Sequence, residues 1–438
     1  MSQISADQAH ATLEKYLIAD GLPMVFDYER SHGAWAVDGV TGQEYLDCYG
    51  FFASLPLGLN HPALSRPDNQ ERLARAAMHK PTNSDADSVE FAGFVEQFAR
   101  EAMPAPFRHL FFIEGGALAV ENALKAAFDW KVRKNLAAGR GELGTKILHF
   151  KQAFHGRSGY TMSLTNTLPK KVAYFPKFDW PRVSNPSLRF PIDEAEIARV
   201  GAAECETSGE IVRAFEQHPH DIAAIIIEPI QAEGGDHHFR PEFFAELRRL
   251  ADEHEALLIF DEVQTGFGTT GKLWCWQHFG VVPDLVSFGK KTQVCGVMAG
   301  PRLDEVDDNV FQMSSRINST WGGALVDMVR CQIIMDAYRE ERVIENCEAV
   351  GEHLLGRLRA VQEEYPALVS NVRGRGLMCA IDLPSGDQRD QLIDRCRENG
   401  LLSLACGDRS LRCRPALTLK TEEADEIAKR LSKALQSM

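Results

Sequence analysis

The chain has 438 residues, 44% of them hydrophobic and 25% charged, with a formal net charge of −14. That is an ordinary globular balance with material for two or three domains, and its acidity argues against nucleic-acid binding, which needs clustered Lys and Arg. No apolar run approaches the roughly 20 residues of a membrane helix, and the opening residues carry neither the basic nor the apolar stretch of a secretion signal. Ten cysteines are scattered singly with no C-x-x-C pair. In a chain this long that spacing predicts reduced thiols in a cytoplasmic setting, each a small buried hydrophobe.

In chain order, residues 1–45 read as a helix and then a short hairpin around Asp38-Gly39-Val40-Thr41-Gly42. From about residue 110, short apolar runs alternate with helical stretches. Strands are predicted over 109–113, 146–150, 222–227, 256–260 and 285–288. Helices are predicted over 117–134 and, amphipathically, 241–255. Continuous apolar strands separated by helices imply a mainly parallel sheet covered on both faces. After Trp321 the pattern predicts one long helix over 324–365 leading into Val372-Arg373-Gly374-Arg375-Gly376-Leu377-Met378, then short strands and a final helix over 421–436. The expected division is an N-terminal segment 1–70 packed with the small domain, a large domain 71–325 and a small α+β domain 326–438.

Ligands on such sheets sit beyond the carboxyl ends of the strands. After the first strand comes Glu114-Gly115-Gly116-Ala117, opening a helix. Free N–H groups beside glycines suit a phosphate there, although a ligand-free turn has the same composition. Glu228 and Asp261 each follow an apolar run. A buried acid is costly without a partner; a protonated ring nitrogen is one, a helix start to cap is another. Gly289-Lys290-Lys291 follows the last run. A lysine buried at a strand end loses part of its basicity and becomes a Schiff-base former, whereas a solvated pair does nothing of the kind.

Two further stretches carry less. Gly266–Lys272 mimics a phosphate loop, but Leu273 stands where Ser or Thr must hold magnesium. Asp236-His237-His238 has no second ligand cluster, so no metal is expected and the histidines read as polar loop residues.

Together these pieces resemble the class III (ω-) aminotransferases of pyridoxal-phosphate fold-type I. The signature runs from Leu258-Ile259-Phe260-Asp261-Glu262-Val263-Gln264-Thr265-Gly266 through Pro283-Asp284 to Gly289-Lys290, and the likeness covers nearly the whole chain. The resemblance implies an α/β fold with a mainly parallel seven-stranded sheet covered by helices, plus a smaller α+β domain, and pyridoxal 5′-phosphate as cofactor. In the family pattern the cofactor lysine directly follows a small residue, six after Asp284, which selects Lys290 over Lys291. Lys290 would bear the cofactor and shuttle the proton. Asp261 would pair with the ring nitrogen, Gln264 with the ring hydroxyl, and Phe154 would stack on the ring, with His155 in the same pocket. Gly115, Gly116 and Ala117 would hold the phosphate. Thr320 would reach the phosphate of a neighbouring subunit, implying a homodimer with shared active sites.

Within the class the likeness is strongest to the lysine 6-aminotransferase branch. It is carried by 111–130, 153–161, 175–182 and 289–300, where Val294-Cys295 replaces a Gly-Gly pair usual in the class. The branch implies transfer of the ε-amino group of L-lysine to 2-oxoglutarate. Arg157 would grip the distal carboxylate of either substrate, in arginine's bidentate manner. Arg414 would bind the α-carboxylate of 2-oxoglutarate, and Glu233 would mask that arginine while lysine reacts. Ornithine, 4-aminobutyrate or another diamine are alternative donors. Decarboxylases, racemases and mutases of related fold have no use for such a mask, and a non-catalytic scaffold has none for Lys290, Asp261 and Gln264.

Overall fold

The computed structural model describes residues 4–438. Ile222–Ile227 is buried along its whole length, as an all-apolar strand must be when both sheet faces are covered. It sits inside a seven-stranded sheet. The spatial order is His109–Ile113, Cys295–Ala299, Leu285–Phe288, Leu257–Asp261, Ile222–Ile227, Lys146–Phe150 and Arg182–Val183. Every neighbouring pair is parallel except those of Cys295–Ala299, which runs against both of its neighbours. The parallel strands therefore end on one side of the sheet, and the chain after all of them but the edge strand Arg182–Val183 borders a common crevice.

The crossover helices include Gly116–Ala137 and Pro241–Glu253. The second buries Phe243, Phe244, Leu247, Leu250 and Ala251, one stripe at helical spacing, and leaves its charged stripe to solvent. Two smaller sheets complete the chain. Trp35–Val37 and Glu44–Asp47 form the expected hairpin and add Leu401–Leu402 as a third strand, so the N-terminal segment is built into the C-terminal part. Ser370–Arg375, Met378–Asp382, Ser410–Cys413 and Leu404–Cys406 form an antiparallel sheet of four. Among the described residues, no helix is long and apolar enough to cross a membrane.

Two expectations need correction. The single helix over 324–365 is two, Leu325–Glu341 and Val343–Glu364, broken at Arg342, whose backbone is left-handed (φ 52°, ψ 46°). No glycine or proline marks the break, and such a conformation costs a non-glycine residue about 1–2 kcal/mol. Packing offsets it: beyond Arg342 the chain buries Val343, Cys347, Val350, Leu354 and Leu358 and packs against the helix Thr421–Leu435. The second correction concerns Asp236-His237-His238. Asp236 and His238 are buried, because Arg373 reaches across from the small domain and donates to the Gly235 and Asp236 carbonyls. Burial pushes His237 down to about 4 and His238 well below the ordinary imidazole value.

Candidate active site

A cavity of about 550 Å³ opens at the strand ends, bordered by Gly116, Ala117, Phe154, Asp261, Gln264 and Lys290. The two adjacent lysines part company here. Lys290, left-handed at φ 53°, lines the cavity. Burial pushes its amine below the ordinary lysine value, against the attraction of Asp261, so a neutral nucleophilic amine is within reach. Lys291 does not border the cavity. It is buried, donates to the Gln264 carbonyl at 2.9 Å, and is pushed by burial and the Lys290 charge down to about 7.

Asp261 is the last residue of its strand, and its side chain is 5% exposed. Its Oδ2 lies 2.7 Å from His155 Nδ1, and its Oδ1 accepts the Val263 N–H (3.1 Å) and the Ser287 hydroxyl (3.2 Å). A carboxylate has about four lone-pair sites, so one remains for a donor in the cavity. Glu228, also buried, accepts the backbone N–H groups of Phe154 (2.9 Å) and Ala232 (3.1 Å) and so holds the loop that carries Phe154 and His155. Burial, with the Asp261 charge adding and His155 opposing, pushes Glu228 up to about 7.

The helix Gly116–Ala137 starts at the cavity. Gly115 caps it at φ 89°, a conformation glycine takes without strain. A Cβ on Gly116 would stand 2.8 Å from Val263 Cγ1, so only glycine lets the turn sit this close. The first-turn N–H groups of Gly116 and Ala117 have no acceptor within the helix and lie at the cavity wall.

The far rim carries the charges. Arg157 is exposed, borders the cavity, and has no ion-pair partner among the described residues. Glu233 lies between two cations: its Oε1 pairs with Lys171 Nζ, and its Oε2 accepts from Arg412 Nη2 at 3.1 Å. Arg412 borders the cavity, and its Nε and Nη1 are buried with no partner. Arg414 is elsewhere. Its guanidinium is buried against Asp236 and donates to the Cys379 (3.2 Å) and Cys413 (2.9 Å) carbonyls.

A model of the aminotransferase class-III family matches residues 17–435. The chain belongs to the class III aminotransferases. It is 52% identical to the L-lysine-epsilon aminotransferase of Mycobacterium tuberculosis (strain ATCC 25618 / H37Rv), with 98% of this chain and 95% of that protein covered. To its namesake in Streptomyces clavuligerus it is 46% identical, over 100% and 96%. The solved lysine aminotransferase of M. tuberculosis superposes with a TM-score of 0.97 at 51% identity, covering 99% of each chain. A Pseudomonas jessenii omega transaminase, 21% identical, shares the fold with a TM-score of 0.85 over 98% of this chain and 97% of its own.

Class III aminotransferases use pyridoxal 5′-phosphate, and the site in this aminotransferase fits it. Asp261 keeps one lone pair for a ring N–H, Lys290 presents a desolvated amine, and the helix start offers free amides to a phosphate. Of the residues expected from the sequence, Gly116, Ala117, Phe154, His155, Arg157, Glu233, Asp261, Gln264 and Lys290 all border the cavity. Thr320 is exposed and does not.

The expectation for Arg414 is corrected. The strand Ser410–Cys413 leaves its sheet after Cys413, and the Arg414 N–H pairs with the Cys48 carbonyl at 2.8 Å, so Arg414 serves the seam between segments while Arg412 faces Glu233. Replacing Arg414 by Met should therefore cost stability, about 3–5 kcal/mol, because it strands the buried Asp236 charge. Adding Asp236→Asn should recover much of the loss. Denaturant midpoints check this; an undiminished midpoint with selectively lost keto-acid binding would return Arg414 to the substrate.

Sequence reasoning passed over four residues of the site. Glu228 reads in sequence only as a strand-end acid, and its hold on the Phe154 loop shows only in the fold. Arg412 lies two residues from the one chosen. Lys171 carried no motif. Phe52 reaches the cavity from a turn in which Gly50, Phe51, Phe52 and Ala53 all have positive φ (54°, 48°, 61° and 63°). Nothing in an apolar Phe-Phe pair announces such a turn.

Proposed function

We propose that this aminotransferase moves the ε-amino group of L-lysine to 2-oxoglutarate. The products are L-glutamate and 2-aminoadipate 6-semialdehyde, which cyclises to piperideine-6-carboxylate. The observation that carries the reading is the masked state of Arg412. With Glu233 on that guanidinium, the cavity offers one unpaired arginine, Arg157. Lysine presents one carboxylate, far from the reacting amine, and matches that state. 2-Oxoglutarate presents a second carboxylate beside its reacting carbon, and needs Arg412 uncovered. The relatives 52% and 46% identical over 95% and 96% of their lengths, named for lysine-epsilon transamination, support the same donor.

Pyridoxal phosphate, when bound, supplies the electron sink and carries the nitrogen between the two half-reactions. The chain does the rest. Gly115, Gly116 and Ala117 would hold the cofactor's phosphate, Gln264 would pair with its ring hydroxyl, and Phe154 would stack on its ring. Asp261, fixed by His155, Val263 and Ser287, keeps a proton on the ring nitrogen. The Lys290 amine, made less basic by burial, takes the proton from the substrate carbon bearing nitrogen and later returns one. Arg157 grips the distal carboxylate of either substrate. Glu233 covers Arg412 while lysine reacts and leaves it for the keto acid's α-carboxylate.

Thr320 is exposed and does not border the cavity described above, which supports a homodimer in which it reaches a neighbour's phosphate. The experiment mixes the loaded enzyme with L-lysine and 2-oxoglutarate, assays glutamate, and traps the cyclic imine with 2-aminobenzaldehyde, with L-ornithine and 4-aminobutyrate in parallel. Lysine should give both products at the highest kcat/KM. Inert lysine beside productive ornithine or 4-aminobutyrate would keep the class and overturn the substrate.

A further inference from the structure

We infer that Lys171 is the second berth of the Glu233 carboxylate: it keeps that anion paired when Arg412 is given up to the keto acid, and so sets the preference between the two substrates. The inference rests on the reading of Glu233 as a mask. A mask has to go somewhere when it lifts. Glu233 cannot move as a loop, because its carbonyl accepts the Gly407 N–H at 2.9 Å and Arg373 pins the Gly235 and Asp236 carbonyls. A Cβ on Gly407 would stand 2.6 Å from the Gly234 carbonyl oxygen, so the two segments are in close contact. The carboxylate must therefore turn about its own side-chain bonds.

Its two oxygens are already divided between two cations, Lys171 on one side and Arg412 on the other. Rotation can release Arg412 and retain Lys171. The site is partly desolvated: the side chains of Lys171 and Glu233 are 21% and 23% exposed, and that of Arg412 is 3%. In such a place an unpaired carboxylate is costly, so a berth that persists in both states lowers the cost of lifting the mask to one ion pair. Lys171 is itself held in place. It ends the short turn Pro169–Lys171, and its ammonium stands 5.3 Å over the Phe154 ring, a favourable cation–π distance.

Removing the Lys171 charge should leave the masked state its Arg412 partner and deprive the open state of any. With Lys171→Met, the affinity of the loaded enzyme for glutarate, a non-reacting dicarboxylate titrated calorimetrically, should fall roughly tenfold, and KM for 2-oxoglutarate should rise in step. KM for lysine should change by several-fold less. Lys171→Arg should restore most of the loss. In a Glu233→Gln background there is no anion to berth, and Lys171→Met should then add nothing to either constant. Equal losses for lysine and 2-oxoglutarate, or a loss that persists beside Glu233→Gln, would make Lys171 a direct carboxylate binder and overturn the berth. No loss in a folded Lys171→Met enzyme would overturn it as well. If Glu233→Gln alone leaves the ratio of the two substrates' kcat/KM unchanged, the mask itself fails, and the berth with it.

Discussion

Lys290→Ala, saturated with pyridoxal phosphate, should lose glutamate formation from lysine and 2-oxoglutarate by more than about 10³-fold. Proton transfer by a positioned base alone contributes roughly 10²–10⁴-fold, and this substitution removes the covalent tether as well. Geometry selects this lysine over its neighbour. Lys290 borders the cavity with its amine held below the ordinary value by burial, whereas the buried Lys291 amine is committed to the Gln264 carbonyl. Lys291→Ala should act differently. It orphans a carbonyl and opens a void, which costs stability, and the fraction that folds should retain most of its turnover per molecule. Kinetics on folded, cofactor-loaded variants, with thermal midpoints alongside, separate the two. A Lys290→Ala enzyme that still turned over would refute the assignment.

Asp261→Asn should lower kcat by roughly 10²–10³-fold, the size of effect seen when one preorganised electrostatic partner is taken from a reacting centre. The substitution keeps the shape. An amide oxygen can still accept the Val263 N–H and the Ser287 hydroxyl that Asp261 Oδ1 accepts now. What it loses is the full negative charge. A neutral amide does not hold a proton on a ring nitrogen, and Glu228, pushed up to about 7 by burial, does not replace that charge in full at neutral pH. Affinity for the cofactor, followed by its visible absorbance on titration, should weaken along with kcat. Unchanged kcat with full cofactor retention would mean that Asp261 serves only His155, 2.7 Å away.

The parallel strands were legible because strands buried on both faces read as unbroken apolar runs. His109–Ile113, Lys146–Phe150, Ile222–Ile227 and Leu285–Phe288 stand where the runs place them, and Leu257–Asp261 begins one residue later. The break at Arg342 was not legible. The stretch around it is uniformly helix-forming, and a left-handed residue there is maintained by what the second helix buries, not by local preference. The burial of Asp236 and His238 was hidden for a related reason. Their loop is polar in sequence, and partners more than a hundred residues on make it interior: Arg373 on the Gly235 and Asp236 carbonyls and Arg414 on the Asp236 carboxylate.

By itself the sequence determined the order of apolar strands, the acid and the lysine that end two of them, and the glycines that open a helix beside them. Those choices are local: a strand's position and its last residue follow from composition and spacing. Tertiary structure decided which of two adjacent lysines meets the cavity, and that Arg412 rather than Arg414 faces Glu233. It also decided that Lys171 and Phe52 belong to the site at all. Each of these depends on where a side chain points once the strand has left its sheet or the turn has closed. That direction is set by partners distant in the chain — Cys48 for Arg414, Glu233 for Arg412 and Lys171 — whose approach no local pattern encodes.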